Sequence, residues 1–501
     1  MRIVVIGSGF GGLAAAIRLQ AQGHQVTLVE RRDKPGGRAY VFEQDGFTFD
    51  AGPTILTAPW LLDELFAAAG KRLADYVSLV ALDPCYNVRF DDGSVFHYTA
   101  DRQRMLAEIR RFNPADEAGY LRFLAKAEQI YAAGMALIDR PFTHAADMLR
   151  VAPDLLRLRA YRSVAGLAGH YLRDERLRQV FSFHPLLIGG HPFRATAIYA
   201  LVHPLEMKGG VLFARGGTGV FVAALARVFG ELGGTLLLNS EAHAILVDEA
   251  THRASGVRLA GGETLPAEAV VSNADIATTY LRLIPARIRR HNTDRRVRHR
   301  RYSMSLVVIY FGTDRQYPQM AHHEILMGPR YRGLLDDIFT RKTLASDFSL
   351  YLHRPTATDP SLAPAGCDCW YVLSPVPHLG AAIDWASAAR PYRDAIIRSL
   401  EERYLPDLSR HIVTERMIDP RYFRDELGSH LGSAFSVEPI LTQSAWFRPH
   451  NVSEDVPNLY FCGAGTHPGA GVPGVLSSGK IVADLIGPAD PSRTTCRSVA
   501  R

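Results

Sequence analysis

Of the 501 residues, 47% are hydrophobic and 22% charged, and the mean hydropathy is −0.03. That balance supplies enough apolar surface for large cores and excludes both a disordered chain and a membrane-embedded one. Lys and Arg total 57 against 51 acids, a net charge of +6 that demands no nucleic-acid partner. Five cysteines (Cys85, Cys367, Cys369, Cys462, Cys496) are odd in number and thinly spread. They suit a reducing compartment rather than a disulfide framework.

In chain order, Ile3 to Ile6 is a short β-branched run ending at Gly7, Leu13 to Leu19 suits a helix, and Val26 to Val29 reads as a second strand. Strand, glycine turn, helix and strand predict parallel, buried pairing. Arg102 to Arg178 is rich in Ala, Leu and Arg and is expected to be a helical cap broken by Pro141 and Pro153. From Gly209 the α/β pattern returns: a helix over Val220 to Leu232, a strand over Thr235 to Leu238, a hairpin flanked by Ala244 to Val247 and Val257 to Leu259, and a strand at Val270 to Asn273. Strands are predicted at Ser305 to Phe311, Phe348 to His353 and Trp370 to Leu373, with a helix near Tyr392 to Tyr404. Leu459 to Phe461 reads as a strand, Gly479 to Ile486 as a closing helix, and the tail from Pro488 as disordered. No run of 18 uncharged apolar residues occurs, so no transmembrane helix is predicted.

The expected class is α/β: a Rossmann-like nucleotide-binding domain assembled from discontinuous segments, a mixed-sheet substrate domain and a helical cap. The boundaries expected are 1–95, 207–275 and 445–501 for the first, 276–444 for the second, and 96–206 for a cap facing a membrane.

Gly7, Gly9 and Gly12 form the fingerprint G-x-G-x-x-G, with Gly11 inside it, directly after a strand and before a helix. In that setting the first glycine permits the tight turn, the second lets the backbone approach a pyrophosphate, and the third lets the helix pack on the strand. Glu30, followed by Arg31, ends the second strand, where a carboxylate accepts from an adenosine ribose hydroxyl. Gly36-Gly37-Arg38 and Gly52-Pro53-Thr54 follow soon after, and a second glycine loop with an arginine suits a cofactor longer than an ADP half. At the far end Gly463-Ala464-Gly465 runs on to Gly471-Val472-Pro473 and opens a helix. Its backbone amides suit a pyrophosphate, ribityl chain or pyrimidine edge.

Together with Asp50-Ala51-Gly52-Pro53, Phe181 to Pro185, and Gly432 to Pro439 with the following Ile440 to Asn451, these loops resemble the bacterial phytoene desaturases. Those are carotenoid dehydrogenases of the FAD-dependent amine-oxidase-like superfamily, and the likeness runs from Ile3 to about Ile486. The resemblance implies noncovalent FAD held by the Gly7, Gly36 and Gly463 loops with Glu30, Arg31, Arg38 and Ala242. Where the wider superfamily often has an acidic residue this chain has Ala464, so ribityl contacts rest on backbone amides.

The implied reaction is repeated oxidation of CH2–CH2 units of phytoene and partly desaturated carotenes, four steps to lycopene, or fewer to neurosporene or zeta-carotene. Hydride loss beside a double bond leaves a delocalised allylic cation whose remaining proton is very acidic. Asp147, Arg150 and Glu438 are the candidates for guiding that proton. The alternative reading makes Asp147 and Arg150 a surface ion pair and Glu438 a structural hydrogen bond. Quinone or oxygen is the expected electron acceptor. A flavin amine oxidase is a second reading, and a flavin-free lipid carrier is a third.

Other constellations are weaker. His322-His323-Glu324 lacks the later histidine of a zinc helix and Cys367-Asp368-Cys369 lacks a second pair, so no metal site is expected. At about 0.8 kcal/mol per methylene, a forty-carbon hydrocarbon costs on the order of 30 kcal/mol to hold in water, so it must pass directly from a bilayer. Peripheral association with the inner membrane face, from the cytoplasm, is therefore expected. The arginines between Arg287 and Arg301 form one docking candidate, equally read as a solvated helix and loop, and Leu149 to Leu172 forms another.

Overall fold

The computed structural model describes residues 1–490. Of the tail expected to be disordered from Pro488, residues 491–501, Cys496 included, lie outside the described residues, while Ala489 N donates to Gln22 O at 3.0 Å.

Five parallel strands form the nucleotide sheet, in the order Leu459–Phe461, Ala269–Ser272, Arg2–Ile6, Gln25–Val29 and Thr235–Leu237. The run Ile3 to Ile6 is apolar at every position because both of its faces are covered. Ile3 and Val5 pack with Leu13, Ile17, Phe221 and Leu225 beneath the helices Phe10–Ala21 and Thr218–Glu231. Val4 and Ile6 turn the other way, onto Ile245 and Val257 of a three-stranded antiparallel sheet. The segments that build this sheet are separated by more than 150 residues in two places, as the glycine clusters at both ends of the sequence imply.

A seven-stranded mixed sheet runs Ile412–Ile418, Ser305–Thr313, Asp368–Val376, Leu350–His353, His323–Leu326, Tyr86–Arg89, Val95–Tyr98. Every residue of Ser305–Thr313 is buried. Val307, Ile309 and Phe311 pack with Trp370, Ile396 and Leu400 of the covering helix Trp385–Arg403. Leu306 and Val308 face the opposite side and form part of a cavity floor. The last two strands of that order, Tyr86–Arg89 and Val95–Tyr98, lie across the expected domain boundary at residue 95. Tyr86–Arg89 pairs in parallel with His323–Leu326, and the buried Glu324 accepts from Asn87 and Arg89, so this hairpin belongs with the substrate sheet.

The cap contains the helices Arg102–Phe112, Glu117–Met135, Ala145–Arg157, Val164–Tyr171 and Glu175–Val180. Asp101, Ser163 and Asp174 cap three of them, each accepting from a first-turn backbone N–H. Pro141 separates helices as expected, but Pro153 lies inside Ala145–Arg157. The helix continues through it, losing one backbone bond on an element with no buried residue. Among the described residues no helix is long and apolar enough to cross a membrane.

Candidate active site

One cavity of about 890 Å³ runs beneath the cap and along the carboxyl ends of the parallel strands. Open α/β sheets bind ligands in that position. The Gly7 loop shapes one end of it. Gly7 takes a positive φ of 90°, and a Cβ on Gly12 would lie 2.0 Å from the Gly7 carbonyl oxygen, so the third fingerprint glycine serves packing and lies off the cavity wall. Glu30 is buried. Its Oε2 accepts from Ser8 N and Oγ at 2.9 and 2.6 Å, and Oε1 from Arg32 N at 3.1 Å.

The second and third glycine segments close on the first. Gly36 N donates to Ser8 O at 3.0 Å, and a Cβ on Gly52 would meet Arg38 O at 2.0 Å. Asn273, at the end of a central parallel strand, donates to Gly7 O at 3.2 Å and receives the Cys462 thiol at 3.7 Å, so it joins the loops from the two ends of the chain. Arg448 is fully buried and holds the C-terminal loop, donating to Thr466 O at 3.0 Å and Ala464 O at 2.6 Å. Asn273 carries no motif in the sequence, and Arg448 lies in the Ile440 to Asn451 segment without being singled out there. Their roles arise from strand order and from carbonyls turned inward.

Gly7, Gly9, Gly11, Glu30, Arg31, Gly36, Gly37, Arg38, Gly52, Pro53, Thr54, Ala242, Gly463, Ala464, Gly471, Val472 and Pro473 all line the cavity. Gly12 and Gly465 do not. A Cβ on Gly465 would meet Ile276 at 2.7 Å, so it too packs behind the loop.

The N-termini of Phe10–Ala21 and Val472–Ile486 open on this cavity, and their exposed amides and dipoles favour an anion. Arg38 is half-buried, and desolvation pulls its guanidinium below its ordinary value with Asp275 opposing. It donates to Ser429 at 2.8 Å, and its Nε has no partner. A half-buried cation with an unpartnered Nε, two helix N-termini and glycine-walled loops fit a dinucleotide with a pyrophosphate. Nearby, Asp50 is pushed up to about 6 by burial, against the Thr218 and Gly219 amides that favour its charge.

The remainder of the cavity is mostly apolar, with a few polar side chains such as His184, Glu206 and His467 among its walls. Met148, Val151 and Leu155 of the cap, Leu186, and Leu306 and Val308 of the sheet are among its walls. His467 lies there too, held neutral with a pKa lowered to about 4 by burial. Its ring meets Phe142 edge-on at 4.8 Å.

The three proton-handling candidates are not brought together, and none lines the cavity. Asp147 Oδ2 caps its helix, accepting from Thr143 N and His144 N at 3.2 and 3.0 Å. Arg150, its side chain 80% exposed, pairs with Asp147 at 3.4 Å. Glu438 is buried with Arg194 at 3.9 Å, and burial raises its pKa. Their surroundings are those of a helix cap, a surface pair and a buried pair behind the wall.

Sequence separation hides one further cluster. Pairing of His323 with His353 across adjacent strands brings His322, His323 and His353 together, with ring nitrogens within 4.8 Å. Burial lowers the pKa of all three. Their Nδ1 atoms are engaged: His322 with Thr358 at 2.6 Å, His323 with Tyr351 at 2.8 Å, and His353 with His323 at 3.3 Å.

Residues 10–487 match the family described as flavin containing amine oxidoreductase. The chain is 50% identical over 487 residues to the lycopene-forming phytoene desaturase of Pseudescherichia vulneris, covering 97% of this chain and 99% of that protein. It is 46% identical over 506 residues to the neurosporene-forming phytoene desaturase of Cereibacter sphaeroides, covering 100% of this chain and 97% of that one. An oxidoreductase from Methanosarcina mazei shares the fold with a TM-score of 0.66 at 17% identity, over 97% of this chain and all of that one. Putrescine oxidase bound to putrescine does so at 0.62 and 15%, over 97% and 99%. The chain therefore belongs to the flavin-containing amine oxidoreductases, within their phytoene desaturase branch, and is an FAD-dependent oxidoreductase.

Proposed function

We propose that the protein desaturates phytoene in repeated steps, four of them to lycopene, in carotenoid biosynthesis. The observation that carries this reading is one cavity with two chemistries: glycine loops and an unsatisfied arginine at one part, apolar cap and sheet residues over the rest. A hydrocarbon needs the second and its oxidation needs the first. The lycopene-forming relatives at 50% identity support four steps, and the neurosporene-forming ones at 46% support three as the second reading.

In this reading the Gly7, Gly36, Gly52 and Gly463 loops, with Glu30, Arg31, Arg38 and Ala242, hold FAD. Bound FAD supplies the hydride acceptor. The chain's own part is to seat the polyene, to exclude water with Met148, Val151, Leu155 and Leu306, and to keep the carbon to be oxidised against the cofactor. The domain division proposed is a nucleotide-binding domain from distant segments, a substrate domain that includes residues 86–98, and the cap.

Carotenes enter from a bilayer. The helix Ala145–Arg157 presents Met148, Val151 and Leu155 to the cavity while Leu149 and Leu156 are 75% and 65% exposed, beside exposed Arg150 and Arg157. An amphipathic element with apolar residues outward and arginines flanking them suits the inner membrane face. The arginine run is the weaker docking element. Arg289 is buried, with bonds to Ile284 O, Asn292 O and Asp294, and Arg300 is half-buried.

The test is to incubate purified, flavin-loaded protein with phytoene in liposomes, with quinone or oxygen as acceptor, and follow visible spectra and extracted products. A structured polyene band with lycopene in the extract is expected. Accumulation of neurosporene selects the second reading, and unconsumed phytoene with flavin bound overturns both.

A further inference from the structure

Five carboxyl groups line the cavity among the described residues: Glu30, Glu206, Glu241, Asp275 and Glu426. Glu241 and Glu426 are exposed. Glu30 is bound to the Ser8 turn, and Asp275 caps a helical turn and takes the Ser436 hydroxyl at 2.9 Å. Glu206 differs from all four. It is 1% exposed, sits on the helix Val202–Gly209 beside cavity-lining Val202 and Leu205, and its Oε1 has no hydrogen-bond partner.

Its other oxygen is held on two sides. Tyr86 donates to Oε2 at 2.9 Å, and His184, itself a cavity residue, places Nε2 3.0 Å from the Tyr86 oxygen and 3.3 Å from Oε2. Tyr86 has one proton and gives it to Glu206, so His184 Nε2 is the donor of its pair. Behind them Tyr86 stacks on Tyr98 at 4.3 Å, and Tyr98 and Tyr120 take both nitrogens of His203 at 2.5 and 3.0 Å. A buried carboxyl oxygen left unsatisfied inside an otherwise fully bonded polar layer costs stability unless something in the cavity meets it.

Resting on the desaturase reading above, we propose that Glu206 accepts the proton lost at each desaturation, with Tyr86 and His184 positioning its carboxylate. One C–H bond breaks with its electron pair leaving as hydride to oxidised FAD. The adjacent C–H bond breaks next, its proton passing to Glu206 Oε1 and its electron pair becoming the new π bond. Glu206 is then a neutral acid and loses the proton to water before the following step, while the two electrons pass on to the quinone or oxygen. With Oε2 tethered, Oε1 is the oxygen without a hydrogen-bond partner. A fixed negative charge beside the developing allylic cation also stabilises it in an apolar site.

The experiment uses the flavin-loaded full chain in phytoene liposomes with quinone, comparing wild type, Glu206→Gln, Glu206→Asp and Tyr86→Phe. Flavin content, melting temperature, kcat, KM and the isotope effect with phytoene deuterated at the proton-losing carbons are read for each. Expected for Glu206→Gln is wild-type flavin content and melting temperature, kcat lowered by about 100-fold or more, unchanged KM and an increased isotope effect. Glu206→Asp is expected to recover part of the rate. Tyr86→Phe, which keeps the carboxyl and loses its tether, is expected to retain flavin and lose about tenfold in kcat, and it carries the test should the glutamine variant not fold. A flavin-loaded Glu206→Gln that turns over at the wild-type rate overturns the proposal. So does a rate loss that only tracks lost flavin with the isotope effect unchanged. Unconsumed phytoene with the wild type is a separate result, which overturns the desaturase reading itself.

Discussion

The two parts of the cavity are built by opposite means. At the nucleotide end, backbone meets backbone: glycines without Cβ atoms let the loops at Gly7, Gly36, Gly52 and Gly463 approach within contact of one another. At the hydrocarbon end, side chains meet across large sequence distances, and cap residues such as Met148 face sheet residues such as Leu306. A backbone-built site tolerates almost no added atom, whereas a side-chain-built one can repack. That difference sets the expected scale of damage.

The largest effect is expected at Gly12. A methyl there would sit 2.0 Å from the Gly7 carbonyl, a clash with backbone that no rotamer relieves. Gly12→Ala is expected to lower stability by about 3 kcal/mol and to yield protein without flavin absorbance, measured by denaturant unfolding and the visible spectrum. Next comes Arg448→Met, which strands the Thr466 and Ala464 carbonyls that Arg448 now satisfies. A loss of about 2 kcal/mol and reduced flavin occupancy are expected, with the loop rather than the cofactor contacts as the cause.

Acid is expected to have an effect of similar size and definite sign. The buried His467 titrates near 4 instead of 6.5, so between those values the unfolded chain binds a proton that the folded one does not. Its contribution is intact above about pH 6.5 and is lost as pH falls toward 4, by about 3 kcal/mol. His191 and His378, also near 4, act in the same direction. Asp50, raised to about 6, acts in the opposite one, since the folded state takes up its proton first. Melting temperature is expected to fall between pH 6.5 and 4, and His467→Gln to flatten part of that fall.

Smaller changes belong to the hydrocarbon end. Leu149→Glu with Leu156→Glu is expected to weaken liposome binding by about tenfold or more, roughly 1.4 kcal/mol, with flavin content unaltered, read by co-sedimentation. Smallest of all is Arg150→Ala. Its side chain is mostly in water, and no measurable change in melting temperature is expected.

The same contrast explains what the sequence discloses. Gly7, Glu30 and Arg38 are legible because local spacing encodes a backbone turn, and the strand and helix beside them follow from short-range apolar patterns. Tyr86–Tyr98 joins the substrate sheet through a parallel pairing more than 230 residues away, for which local periodicity holds no signal. Pro153 inside a helix shows a breaker tolerated at the loss of one backbone bond on an element with no buried residue. Arg448 and Asn273 act on carbonyls and loops that become neighbours only once the sheet is assembled. Glu206, between apolar residues and a lysine, has the local pattern of a solvated helix position, yet it is buried at the cavity wall.

The strand order also has a consequence for biosynthesis on the ribosome. Arg2–Ile6 is made more than 450 residues before Leu459–Phe461, the strand that completes its sheet, and the Gly463 loop follows that strand. The emerging chain therefore carries the apolar faces of an unfinished parallel sheet across that whole interval, the state in which slow, long-range pairing exposes a protein to aggregation. Completion of the flavin site waits for the Gly463 loop, and a chain stopped before residue 459 would present the first glycine loop closed by the Gly36 segment but without its C-terminal partner.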